Sequence, residues 1–179
     1  MKKMLFTLAC FTLLVFVVSC SESEPANDSV LYNSNTAFSV KDGSVFDGVI
    51  GEVRGGANVV TAAPGPILQE FENALMSEGI SDDMTTLTIV KKTATNNPGH
   101  QAYFLIASGT GHTTTASVSL ELNSNFFYAE KPANGDYQKI ICRGCAQGCL
   151  FSYLTIDGVK IPYCNELACN EYDCREIRK

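Results

Sequence analysis

Six of the eight cysteines lie within 33 residues near one end of the chain, at Cys142, Cys145, Cys149, Cys164, Cys169 and Cys174. Thiols at that density pair as disulfides, ligate a soft metal as thiolates, or pass electrons. In an oxidising compartment an even count suits full pairing, and disulfides would staple a stretch of about 40 residues that is too small to build a core of its own. Spacing does not choose among the pairings. The competing reading is a metal centre. Cys142-x2-Cys145 presents two sulfurs to one tetrahedral ion, and the other four cysteines would complete a zinc site or an iron–sulfur cluster. Against it, four residues separate each of the last three cysteines, no second Cys-x2-Cys occurs, and the segment holds no histidine. A redox reading rests on Arg143 lowering a thiol pKa in Cys142-Arg143-Gly144-Cys145. Dithiol sites of that kind open a helix after a strand in a βαβ setting, and the pattern here is not of that kind.

Elsewhere the chain is poor in catalytic groups. Its two histidines, His100 and His112, each follow a glycine and are the only conventional bases near neutral pH. Ser108 and the run 113–117 offer hydroxyls, but no G-x-S-x-G pattern occurs. No catalytic residue is therefore expected, and a hydrolase ranks behind both binding and metal or redox roles. Gly109-Thr110-Gly111 lacks the Gly and Lys that complete a phosphate loop. Asp82 with Asp83, or Glu22 with Glu24, would hold a cation only loosely, without the spaced ligands of an EF-hand. Phe126, Phe127 and Tyr128 stand in a row on an expected strand. Alternation forces at least one ring to the opposite face, and an exposed ring there suits contact with a glycan or peptide.

The chain opens with Lys2 and Lys3, followed by an uncharged run from Leu5 to Val18. That is the layout of a secretory signal, and the run is short for a membrane-spanning helix. It ends in Val17-Val18-Ser19-Cys20, which resembles the lipobox of bacterial lipoproteins. The resemblance implies that Cys20 is acylated through its sulfur and becomes the new N-terminus. More than one acyl chain would then hold the protein on a membrane. The following Ser-Glu-Ser-Glu is similar to the export tract of Bacteroidetes surface lipoproteins, which implies the outer membrane, with possible exposure at the cell surface.

The formal charge is −6. Loss of residues 1–19 removes Lys2 and Lys3 and no acid, leaving 11 basic and 19 acidic residues, a charge of −8. Nucleic acid is excluded as an expected partner, because duplex binding depends on Lys and Arg neutralising phosphates.

The elements that must position these groups follow from periodicity. Residues 20–35 are polar and read as a tether. Short β-favouring pieces at 37–40, 45–53 and 58–60 are broken by glycines. A helix is expected from about Pro66, with Ile67, Leu68, Phe71, Ala74 and Leu75 on one face and Gly79 ending it. Strands are expected at 86–92, 102–107, 115–122, 126–129 and 138–142, with a hairpin tip at 109–111. The expected fold is α+β, an antiparallel sheet covered by one helix, with a C-terminal cysteine-rich appendage. The expected divisions are 1–19 signal, 20–35 acylated tether, 36–141 α+β domain and 142–179 cysteine-rich segment. Together these features lead to a noncatalytic binding or structural lipoprotein of the cell envelope. Its partners would be the membrane, through lipid, and an envelope or extracellular protein or glycan. No cofactor is expected unless the cysteines hold zinc or an iron–sulfur cluster.

Overall fold

The computed structural model describes residues 43–131, 135–144, 150–165 and 175–179. The signal, Cys20, Glu22, Glu24, the tether, the strand expected at 37–40, and Cys145, Cys149, Cys169 and Cys174 lie outside the described residues.

Two short strands, β1 (Val49–Arg54) and β2 (Ala57–Val60), lead into the helix α1 (Pro64–Met76). The helix starts two residues before Pro66. Pro64 takes the first position, and Pro66 falls within the first turn, whose N–H groups have no intrahelical partner, so its missing donor costs nothing. Ile67, Leu68, Phe71, Ala74 and Leu75 are all buried, at helical spacing. Gly79, at φ +72, lets the chain turn so that the Ile80 N–H donates back to the Leu75 carbonyl.

Four strands follow: β3 (Met84–Ala94), β4 (Asn97–Gly109), β5 (Thr114–Asn123) and β6 (Phe126–Ala129), with a single 3-10 turn between β4 and β5. Beyond them are β7 (Lys139–Arg143), β8 (Leu150–Ile156), β9 (Val159–Asn165) and β10 (Arg175–Arg178). Every pairing is antiparallel. One edge of β5 pairs with β4; the other pairs with β7 along Thr114–Val118 and with β6 along Leu120–Asn123. β6 continues to β1 and β2, β7 continues to β10, and β2 comes to lie against β3. The sheet thus curls almost into a closed barrel, with α1 over its inner face.

That inner face carries Ile50, Leu105, Ala116, Val118, Leu120, Phe127, Ile141 and Ile177, packed on the apolar stripe of α1. Gly51 stands where β1 meets β3, and a Cβ there would fall 2.3 Å from the Val59 carbonyl and 2.4 Å from Ile89. Only glycine allows that approach. A bulge between Val49 and Gly51 turns Ile50 into the core while leaving Val49 outside.

The expected α+β class, one helix on an antiparallel sheet, is what the chain adopts. The C-terminal segment differs from the expectation. The division at 141/142 cuts β7, and β10 adds to the edge of the main sheet beside β7. β8 and β9 form a hairpin whose Phe151, Tyr153 and Cys164 pack against Ala94, Ala102, Phe104, Ile140 and Cys142 on the outer face. The described part of this segment is therefore divided between the main sheet, which β10 extends, and a second layer, β8 and β9, packed on the sheet's outer face. The physical reason lies in β4. Its run 102–107 is apolar on both faces, and a strand is continuously apolar only when both faces are covered. Ala102 and Phe104 point outward to the hairpin; Leu105 and Ala107 point inward to the helix side.

Candidate functional site

Two parts of the outer surface concern the residues singled out for chemistry. The first is the layer formed by β8 and β9. Cys142 and Cys164 form a disulfide there, with Cα atoms 5.4 Å apart, joining β7 to β9. Both are buried. Neither sulfur is then free to serve as a thiolate ligand or as the attacking thiol of a Cys142-Cys145 redox pair. Four cysteines remain for the metal reading, all outside the described residues. Among the described residues no group of His, Cys, Asp and Glu side chains is placed to hold a metal ion.

Around the disulfide the hairpin is tied down by directional bonds. The fully buried Tyr153 donates its hydroxyl to the His100 carbonyl at 2.9 Å, and its ring lies 5.1 Å from Phe104. Burial pushes its phenol above the ordinary value. Asn96 and Thr155 exchange hydrogen bonds at 2.8 and 2.9 Å, which fixes the β3–β4 turn to the hairpin. Lys160 reaches from β9 to the Glu130 carboxylate just after β6. Lys92 packs over the Phe151 ring at 5.8 Å, and burial lowers its ammonium below the usual lysine range.

His100 belongs to this framework, its Nδ1 standing 3.2 Å from the Tyr153 hydroxyl. Ser108 is eight residues away on the same strand, roughly 27 Å at an extended rise. The structure does not bring that serine and histidine together. His112 falls in the 3-10 turn at Thr110–His112, the expected hairpin tip. Asp82 accepts the Thr114 hydroxyl, and the Asp83 carbonyl accepts the Thr110 N–H at 2.9 Å. Glu72 accepts the Met84 N–H at 2.9 Å. Burial raises its carboxyl above the ordinary range against the pull of that bond. These acids brace the link from α1 into β3 and the start of β5.

The second part is the outer face of β6, β1 and β2. The aromatic row divides as alternation requires: Phe127 is buried against Tyr103, with ring centroids 5.0 Å apart, while Phe126 is 42% exposed. Glu52 pairs across both strands, with Phe126 on one side and Val59 on the other, and Tyr128 sits opposite Val49, itself 41% exposed. Directly opposed residues project from the same face. The result is an apolar centre of Phe126, Tyr128, Val49 and Val59. Glu52 stands within it, between Phe126 and Val59, with its ion-pair partner Arg54 beyond, and Glu121 and Asn123 line its β5 side.

Sequence reasoning missed β8, β9 and β10. Asp157-Gly158 between Ile156 and Val159 is the Asp-Gly signal of a two-residue hairpin, and both residues adopt positive φ, 51° and 79°. No family model, curated protein or solved structure matches this chain.

Proposed function

We propose that this is a lipid-anchored protein of the bacterial cell envelope with a noncatalytic binding role. Cys20 is its anchor, and the face around Phe126 is its contact surface. The observation that carries the reading is the uncharged run from Leu5 to Val18 ending in Val17-Val18-Ser19-Cys20. An acylated cysteine followed by a polar tether holds a domain at a membrane while leaving its surfaces free to meet a partner. The exposed Phe126, beside polar side chains able to bond hydroxyls or amides, supports a glycan or an extended peptide as that partner. The resemblance to surface lipoproteins supports the outer membrane as its location.

In this reading the cysteine-rich segment is a covalent frame. Beyond Cys142–Cys164, the four cysteines at 145, 149, 169 and 174 pair as two more disulfides. Growth of the producing bacterium with a clickable palmitate analogue tests the anchor. Label on the wild type and none on Cys20→Ser is the expected result; equal labelling of both overturns it. Mass spectrometry without reductant tests the frame. Six blocked thiols are expected, and four free thiols with stoichiometric zinc would replace the frame with a metal centre.

A further inference from the structure

The geometry points to an oxyanion site between Arg143 on β7 and Arg175 on β10, built for a phosphate-type group. It goes beyond the lipoprotein reading and does not depend on it. The two arginines are directly opposed in the antiparallel register, so their side chains leave the same face of the sheet. Like charges so placed repel each other unless something negative lies between them.

The carboxylates nearby supply only part of that charge. Asp82 lies on the side of Thr114, the β5 residue opposite Arg143, and takes the Thr114 hydroxyl. Among the described residues no carboxylate comes within ion-pair distance of Arg143. Arg175 stands 3.6 Å from one oxygen of Glu78, and Lys179 holds the other oxygen at 2.5 Å. Arg175 and Lys179 thus share one carboxylate, and Arg143 faces Arg175 across the strands with no ion-pair partner among the described residues, in a chain whose formal charge is −6. Arg143 is half-buried and Arg175 exposed, so the pair opens to solvent.

The ligand class follows from the donors. One guanidinium fork saturates one carboxylate in a bidentate pair. Two forks side by side match a tetrahedral anion, which offers three or four oxygens and up to two negative charges. Free phosphate and a phosphorylated sugar or lipid headgroup share this chemistry.

The test is thermal unfolding of the oxidised protein carrying Cys20→Ser, in chloride, acetate and inorganic phosphate at matched ionic strength. Phosphate at about five times its dissociation constant raises the Tm by about 2–4 °C over chloride. Arg143→Gln and Arg175→Gln each remove that rise, and Arg143→Gln, which has no ion pair to lose, does not lower the Tm in chloride, because the repulsion is relieved. Glycerol 1-phosphate, presented free and then as phosphatidylglycerol vesicles, separates a soluble ligand from a lipid one. Four results overturn the site: equal Tm in chloride and phosphate, a rise that survives both substitutions, an equal rise in acetate, or a lower chloride Tm for Arg143→Gln. The last would mean that a carboxylate of this chain already holds Arg143.

Discussion

One sheet presents two outer faces with opposite fates. Over β3, β4, β5 and β7 the hairpin of β8 and β9 closes off water, and Phe104, Ile140 and Cys142 are at most 2% exposed. Over β6, β1 and β2 nothing among the described residues lies on the strands, and Phe126 and Val49 remain over 40% exposed. The inner faces of the two halves are alike, both packed on α1. The difference is therefore written in the outward residues alone. Where a second layer lands, they are mostly Ala, Phe, Ile and Cys, with the small buried Ser117 and the stem of Lys92 among them; where none does, aromatic and aliphatic side chains are interspersed with Glu52, Arg54, Glu121 and Asn123. Apolar burial stabilises the first half, and the second is left free to meet something else.

The comparison breaks first at Phe104. Truncation to alanine empties the junction between sheet and hairpin, where its ring meets Phe151 at 4.8 Å and Tyr153 at 5.1 Å. A loss of about 3–5 kcal/mol is expected in urea unfolding of the oxidised protein. A loss under about 1 kcal/mol would mean that the hairpin is not part of the core. Next is the covalent link. Cys142 and Cys164 are 22 residues apart in sequence, and a loop of that length predicts about 3 kcal/mol from its closure entropy. The double variant Cys142→Ala/Cys164→Ala should lose about that much, and faster amide exchange in β8 and β9 than in β6 and β1 would locate the loss in the outer layer.

Much of the inner architecture was legible because its signals are local. The stripe from Ile67 to Leu75 and the alternation through Val118, Leu120 and Leu122 each need only a few residues of context. The outer layer was harder to read because the cysteines competed with its strand pattern. Phe151 and Tyr153 alternate correctly, and Asp157-Gly158 marks the turn, yet the surrounding cysteines suggested an irregular stapled tail. The strongest missed clue was in β4, where an apolar run on both faces demands a cover from elsewhere in the chain. The disulfide partner of Cys142 was not readable from spacing, since it depends on β9 crossing the sheet over β7. The split of Phe126 from Phe127 was readable, because alternation admits no other outcome. The opposition of Arg143 and Arg175 was not, because it depends on a register between strands far apart in sequence.

Alkaline titration sharpens the contrast from another side. Tyr153 in the outer layer is held above its ordinary phenol value by burial. Tyr137, beside Phe46 and bonded to Asp47 at 2.7 Å, is pushed up to about 12, chiefly by burial and then by that carboxylate. A phenol with a raised folded pKa contributes stability that is fully present below its unfolded value near 10 and is lost as pH rises through the folded value. Stability should therefore fall between about pH 10 and 12. Tyr137→Phe should flatten that fall, and Tyr153→Phe should flatten it further while losing about 0.5–1.5 kcal/mol at neutral pH for the bond to His100. An unchanged slope in both variants would remove the tyrosines as its cause.

The smallest effect on stability is expected at Phe126, and it is the most informative about function. Its ring lies on the face with no second layer, so Phe126→Ser should shift unfolding by no more than about 0.5 kcal/mol, the ordinary range for an exposed substitution. Phe127→Ser, one residue along, buries a hydroxyl in the inner core beside Tyr103 and should cost several kcal/mol, which shows that the two positions are physically distinct. If the face around Phe126 is a contact surface, the exposed variant keeps its fold and loses retention on immobilised envelope glycan or peptide that the wild type binds, and Glu121→Gln weakens that retention less. A folded Phe126→Ser protein that binds as the wild type does would leave this half of the sheet bare without a contact role. A large loss of stability at Phe126 would mean instead that this half is covered too, and the contrast between the two faces would fall.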